Sequence, residues 1–341
     1  VRIVFVDNLM IRRYGQLKLS PGRALTNGAV RNNWRVCEFS DRDTARFESP
    51  FYIRPLGRLI ANRKLVETCD RFKPDLVLIG NCDIIGNQAL RDIRKLLPRV
   101  KMAHFNVDPL WQETTKNQIR ERQETCDAIF VTTGGAVLRQ FCTGSNVVAY
   151  MPNPADEALE DQNNALKSDF VHDLIFCGVG QPTDSRFPLV ARLHEALRGQ
   201  VRFDSFGMHG HAAAWGTAYE SVLASSKMAL NLNRFEGWSL YSSDRIAHLM
   251  GNGLLTFLSS EGGFERFFSE KEAVYFRDVE DLAKKVIAFH KDDALRRSVA
   301  AAGRSSYFRL FSGARILKFI AETTLGLPLS EPYEWANEVY R

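Results

Sequence analysis

Short apolar runs alternate with amphipathic stretches along the whole chain, and that alternation constrains its fold more than any other feature. Runs of this kind read as strands buried on both faces, and the longer stretches between them as helices. In the first half, strands are expected over residues 3–6, 35–39, 76–79, 101–105, 128–131 and 147–150, with helices over 23–32, 58–71, 88–97 and 115–125. Two closely spaced prolines, Pro152 and Pro154, and the polar run 157–169 then interrupt the pattern. A second series follows, with strands over 174–177, 201–206, 228–232, 254–258 and 273–276. Helices are expected over 187–197, 217–225, 243–250, 279–289, 293–307 and 313–324. The expected fold class is therefore α/β, as two facing Rossmann-like domains that enclose a cleft, each a parallel sheet flanked by helices. The expected divisions are 1–152 for the first domain, 153–172 for a linker and 173–312 for the second domain. Residues 313–341 are expected to form a helix and tail that cross back to the first.

A length of 341 residues also suits two domains, and 45% hydrophobic with 25% charged residues is ordinary globular usage. No run approaches the roughly eighteen apolar residues a membrane span needs. Asp7, Arg12 and Arg13 follow the first apolar run too closely for a signal-peptide core, and the start at Val1 leaves room for a start methionine or short leader ahead of it. Six cysteines include no C-x-x-C pair and sit mostly in apolar runs, so they are expected to be free thiols in a reducing, cytoplasmic compartment. Charge is uneven: residues 1–150 carry 24 Lys+Arg against 15 Asp+Glu, and residues 151–341 carry 21 against 25. A basic first half implies an anionic partner, such as a membrane surface, a phosphorylated acceptor or nucleic acid. No aromatic–basic recognition motif supports the last of these, so no nucleic-acid partner is expected.

Ligands of open parallel sheets bind outside the carboxyl ends of the strands, so the residues that follow each expected strand are the candidates. Gly178 and Gly180 follow the first strand of the second half, where glycines let backbone approach a phosphate. Their Gly-x-Gly spacing lacks the third glycine of the dinucleotide fingerprint. His209 and His211 follow the next strand without a cysteine or carboxylate at ligand spacing, so His209 is expected to hydrogen-bond to a ligand or to backbone, and no metal site is expected. The segment 231–245 is the richest. Arg234 and Arg245 have the charge to neutralise a diphosphate, and Glu236 or Asp244 can accept from ribose or sugar hydroxyls. Ser242, Ser243 and Asp244 precede an apolar helix and read as a cap and anion site.

Residues 173–320 resemble the donor-binding domain of GT-B glycosyltransferases, nearest the "glycosyl transferases group 1" branch that includes spore-maturation-like proteins. The resemblance rests on 226–233, the loop carrying Glu236, 245–255, 273–276 and 281–285, and more loosely on 22–28, 40–43, 74–78 and 150–153 of the first half. Retaining members carry two glutamates eight positions apart. Here Glu236 plus eight is Asp244, and aligning on Gly251 and Gly253 instead puts Ala247 there, so Glu236 is the firmer assignment.

The resemblance implies sugar transfer from a nucleotide-sugar donor to a glycan or lipid-linked acceptor. It implies no metal and no other cofactor, because Arg234, Arg245, the backbone at Gly178–Gly180 and Arg23 of the first domain would stabilise the leaving phosphate. An inverting reaction would need a base for the acceptor hydroxyl, with Asp41, Asp43, Asp83 and Asp108 as candidates after expected strands; a retaining one would not. The implied setting is bacterial surface polysaccharide or lipopolysaccharide assembly, in the cytoplasm or peripherally on the inner membrane face. A sugar-nucleotide epimerase on the same scaffold and a non-catalytic sugar-binding or assembly protein are the competing readings.

Overall fold

The computed structural model describes residues 1–341. The chain divides into two compact units, one of Val1–Pro154 with Ser312–Arg341 and one of Ala155–Phe311.

In the first unit six parallel strands form the sheet: β1 Arg2–Asp7, β2 Arg35–Ser40, β3 Leu76–Ile79, β4 Lys101–Asn106, β5 Ala128–Val131 and β6 Val147–Tyr150. Their spatial order is β6-β5-β4-β3-β1-β2. Every residue of β3 and β5 is buried, as unbroken apolar runs should be when helices cover both faces of a sheet. A short C-terminal strand, Val339–Tyr340, adds antiparallel to β6, so the sheet expected to be all parallel is mixed at one edge. Pairing there covers an otherwise open edge. The tail that delivers this strand is anchored by Trp335, fully buried against Phe319 and Tyr333.

The helix Pro21–Arg31 starts with Pro21 in its first turn and Ser20 Oγ accepting from the Arg23 amide, two standard helix-start devices. It packs on the helix Gly313–Leu325 through two glycines. A Cβ on Gly28 would lie 2.4 Å from the Gly313 carbonyl, and one on Gly313 would lie 2.0 Å from the Ala24 oxygen. Asn32 Nδ2 donates to the Ala314 carbonyl at 2.8 Å and fixes the register of the pair.

The second unit holds β7 His172–Cys177, β8 Phe203–Phe206, β9 Ser226–Asn231, β10 Leu255–Ser259 and β11 Val274–Phe276, all parallel in the order β11-β10-β9-β7-β8. Phe176, Leu193, Met228, Leu230, Phe257 and Val286 form part of its core.

The expected linker 153–172 is corrected. From Ala155 onward this segment belongs to the second unit, and Glu160, Asn164 and Ala165 are all but fully buried. Its polar side chains have distant partners: Asn164 Nδ2 donates to the carbonyls of Leu223 (2.6 Å) and Ser226 (2.8 Å), and Glu160 Oε1 meets His248 Nδ1 at 2.9 Å.

Each sheet reverses its strand order once, between β1 and β3 in the first unit and between β7 and β9 in the second. In open parallel sheets such reversals are where ligands bind, at the carboxyl ends of the flanking strands, and Asp7 at the end of β1 and Arg245 between the ends of β7 and β9 lie there.

Candidate functional site

In the second unit Arg245 spans the reversal. Its side chain is buried, Nη1 donates to Cys177 O at the end of β7 (2.9 Å), and Nη2 donates to Leu232 O just beyond β9 (2.6 Å). The guanidinium carbon also lies 5.1 Å from the Phe176 ring centroid. Arg245 therefore ties the two strand ends together and places a positive charge between them.

Arg234 stands in the loop after β9 with its side chain 45% exposed, and its Nε donates to Asp184 Oδ2 at 3.1 Å. Asp184 is buried and also accepts from Arg186, from the amide (3.1 Å), Nε (2.8 Å) and Nη2 (2.5 Å). Burial alone would raise the Asp184 carboxyl; the hydrogen bonds and charge of Arg186, with the charge of Arg234, outweigh it and hold the carboxyl below its ordinary value. A buried, ionised Asp184 thus aims a half-exposed Arg234. Nothing in the strand pattern marks Asp184, which precedes a helix and reads as an ordinary turn residue.

Four buried polar atoms around the end of β9 have no hydrogen-bond partner: Asn231 Oδ1, Asn233 Oδ1, Ser243 Oγ and Arg245 Nε. Such atoms are scarce in folded proteins, and here four of them, one on Arg245 itself, fall around one strand end beside Arg234.

The other expected donor residues take varied places. Ser242 is sealed inside, accepting from Asn231 Nδ2 (2.9 Å) and donating to the Ser243 carbonyl (2.9 Å), so its hydroxyl is not available to a ligand. The helix Arg245–Gly251 has only seven residues, and Asp244 makes no side-chain cap, which corrects the expected capped anion site. Asp244 instead lies 3.8 Å from His248 Nε2. Burial would lower the His248 imidazole, but Asp244 and Glu160 together raise it well above its ordinary value. His209 Nε2 is occupied by the Phe187 carbonyl at 2.9 Å, which selects the backbone partner from the two expected.

Gly178 and Gly180 have a packing explanation: a Cβ on Gly178 would lie 2.9 Å from the Phe176 ring, and one on Gly180 would lie 2.2 Å from Met208 Cε. Glu236 is exposed, yet crowding by the surrounding loop atoms, followed by the nearby Glu261 carboxylate, raises its carboxyl above the ordinary range.

In the first unit the strand reversal centres on a residue the sequence reading passed over. Asp7 ends β1, is buried, and is pushed up to about 6 chiefly by that burial. Gly22 and Gly80 close around it; their Cβ atoms would fall 2.3 and 2.8 Å from its carboxylate oxygens. The signal for Asp7 was its place after a strand, the same one that selected Asp41 and Asp43.

Those two aspartates are drawn into local hydrogen bonding. Asp41 is fully buried and accepts from the amides of Arg42 (2.6 Å) and Ile84 (3.3 Å). Asp43 is buried too, and its Oδ2 accepts from Ser40 Oγ (2.6 Å) and the Ile11 amide (2.7 Å). Both hold loops in place. Arg23 likewise donates from Nη2 to the Leu9 carbonyl at 3.1 Å.

Asp108 and Asp83, by contrast, line a cavity of about 250 Å³ together with Asn81, His104, Arg42 and Arg58. Asn81 Nδ2 donates to Asp108 Oδ2 at 3.1 Å. His104 Nδ1 lies 3.0 Å from the Ile79 carbonyl, which requires the proton there and leaves Nε2, which has no partner, as an acceptor. Burial, reinforced by Arg122, pushes His104 down to about 3, so it stays neutral at ordinary pH. A histidine inside an apolar strand reads as core, which is why sequence reasoning missed it.

A family model described as "Glycosyl transferase-like" matches residues 186–322, the stretch that carries Arg234, Glu236 and Arg245. No curated protein matches the chain. Among solved structures it is similar to AviGT4, a glycosyltransferase involved in avilamycin A biosynthesis, at 12% identity over the whole of both chains with a TM-score of 0.59. It is similar also to sucrose-phosphate synthase from Thermosynechococcus elongatus, at 14% identity, 94% of this chain, 98% of that one and a TM-score of 0.56. Anabaena HepE in complex with UDP and glucose matches at 13% identity, 96% of this chain, all of that one and a TM-score of 0.54. Residues 186–322 are thus a glycosyl transferase-like region within a chain that has the fold of the GT-B glycosyltransferases.

Proposed function

We propose that this chain transfers a sugar from a nucleotide-sugar donor bound at the β7–β9 reversal to a glycan or lipid-linked acceptor bound by the first unit. The single observation that carries the reading is the cluster at the end of β9. Two arginines, one buried and one aimed by Asp184, lie there with three further buried polar atoms that, like Arg245 Nε, lack partners. An anionic, hydroxyl-rich ligand such as a sugar nucleotide matches that set. The family match over the same residues and the UDP and glucose present in the similar HepE structure support the choice.

In this reaction the bond from the sugar's anomeric carbon to the diphosphate oxygen breaks, a bond to the acceptor oxygen forms, and the acceptor's proton is released. Arg234 and Arg245 stabilise the charge that grows on the leaving diphosphate, and preorganised cations of this kind act without reorganising during the step. Glu236, on the same loop, is assigned to the transferred sugar. Asp108 is assigned to receive the acceptor's proton if configuration inverts: it lines the first-unit cavity, where Asp83 is paired with Arg42 and Arg54, and Asp41 and Asp43 accept from backbone amides. Two arginines supply the positive charge, so transfer is expected to proceed with EDTA present. The setting proposed is cytoplasmic assembly of a bacterial surface polysaccharide or lipopolysaccharide at the membrane.

The test is release of nucleoside diphosphate from a panel of nucleotide sugars, with EDTA and with or without a mixture of glycan and lipid-linked acceptors. Release that requires both acceptor and Glu236 supports transfer. Conversion of the donor sugar without acceptor would point to an epimerase instead, and no turnover with any donor would count against an enzyme.

A further inference from the structure

We infer that one face of the first unit, formed by residues 10–14 and 47–59, docks on a lipid bilayer with anionic headgroups. The inference rests on the proposed reading only in supplying the reason for such docking, a lipid-linked acceptor.

The face is built around the helix Asp41–Phe47. The Ile11 amide bonds Asp43, which fixes the first segment to this helix. A Cβ on Gly57 would lie 1.7 Å from the Ala45 carbonyl oxygen, so the second segment is pressed against the same helix. On these two segments large side chains stand in solvent: Tyr14 is 90% exposed, Phe51 87%, Leu59 82%, Tyr52 71% and Leu56 57%. Phe51 and Tyr52 both hold positive φ, 59° and 56°, a left-handed backbone that non-glycine residues rarely adopt, and both rings stay exposed in that conformation. A lone exposed leucine needs no explanation, but five large exposed side chains on two segments held to one short helix mark an interaction site.

Charge selects the occupant. Arg12, Arg13, Arg54 and Arg58 lie on these segments and Arg42 beside them, against one exposed acid, Glu48, while Asp41 and Asp43 are buried. The acid Asp83 is shared by Arg42 (2.9 Å) and Arg54 (3.6 Å). Exposed aromatic and aliphatic side chains interleaved with arginines suit the headgroup boundary of a bilayer, where rings sit at the interface and guanidiniums meet phosphates. Arg42 and Arg58 also line the cavity of Asp108 and His104, so a bilayer on this face would present its lipid headgroups beside that cavity.

The experiment is cosedimentation of the full chain with vesicles of phosphatidylcholine alone and of phosphatidylcholine with phosphatidylglycerol, at low and high salt. Binding to the anionic vesicles at low salt is expected. It should weaken about fivefold in Arg54→Gln, the effect of one cation near an anionic surface, and at least tenfold in the double variant Phe51→Ser/Leu59→Ser. Both serines replace exposed side chains, and an unchanged melting temperature in that variant shows that its fold is intact. Absence of pelleting with anionic vesicles at low salt would overturn the inference, as would wild-type binding by the double variant. A self-association measured by sedimentation and abolished by the same variant would assign the face to a second copy and also overturn it. A nucleotide-induced melting shift, read on the same samples, reports the donor site separately, so either reading can fail while the other stands.

Discussion

Replacing Arg234 and replacing the carboxylate that aims it should have separable effects. Arg234→Ala removes a side chain that is 45% exposed, and its ion pair with Asp184 is screened on one side, so the loss of stability should stay below about 1 kcal/mol. A protein of this size shifts its melting temperature by about 2–4 °C per kcal/mol, so the ligand-free melt moves by no more than a few degrees. The same change removes charge-assisted hydrogen bonds to a diphosphate, worth roughly 1.5–3 kcal/mol, and nucleotide affinity should fall roughly 10- to 150-fold. Asp184→Ala differs in kind. Arg186 is buried and would keep only its 3.0 Å bond to the Val179 carbonyl, and an uncompensated buried charge costs about 3–5 kcal/mol. That variant should therefore lose both stability and nucleotide binding. Because the Asp184 carboxyl is held below its ordinary value, its contribution is present above pH ~4 and is lost as pH falls through the folded-state value. Titration calorimetry with the nucleoside diphosphate that raises the melt, beside melts without ligand, measures both quantities. Arg234→Ala binding nucleotide as tightly as the wild type would refute the assignment.

Asp7→Asn should stabilise the protein at pH 7 by up to about 3 kcal/mol. The folded carboxyl sits at about 6 against an ordinary 3.8, so its penalty is absent below pH ~4 and fully present above the folded value; melts across pH 4–8 should show the slope fall by about half in the variant, because buried Asp41 is also raised to about 6 and supplies the remainder. Gly313→Ala should destabilise by about 1–3 kcal/mol, because the new methyl meets the Ala24 carbonyl, and Trp335→Ala by about 3–5 kcal/mol; denaturant titration measures both. Asp108→Asn should lower acceptor-dependent turnover with the melt unchanged, whereas Asp43→Asn should lower the melt instead, read by turnover and thermal scans on the same preparations.

Much of the fold was legible because the strands are apolar runs with buried neighbours on both sides, as β3 and β5 show. The segment from Ala155 to Val171 was not legible. Its polarity reads as solvation, while its burial depends on carbonyls at Leu223 and Ser226 and on His248, far along the chain. The candidate site divides in the same way. A position after a strand picked out Arg234, Asp41 and Asp43 alike, but local sequence does not say that amides at Ile11 and Ile84 consume the two aspartates. The glycines at 178 and 180 were visible as a motif; that Phe176 and Met208 fill the space beside them emerges only from packing. Asp184 and His104 carry no local signal, since each acquires its role from partners on other elements.

The most direct test of the donor site is thermal stabilisation by UDP, GDP, CMP, ADP and dTDP, measured in EDTA. A ligand present at 100 times its Kd adds about 2.7 kcal/mol to the folded state. One nucleotide should shift the melt by several degrees in the wild type and, at the same concentration, by about half of that or less in Arg234→Ala, whose weaker binding leaves only about 0.3–1.4 kcal/mol of stabilisation. No shift from any of the five, or an equal shift in the variant, would contradict the placement of a nucleotide-sugar at the end of β9.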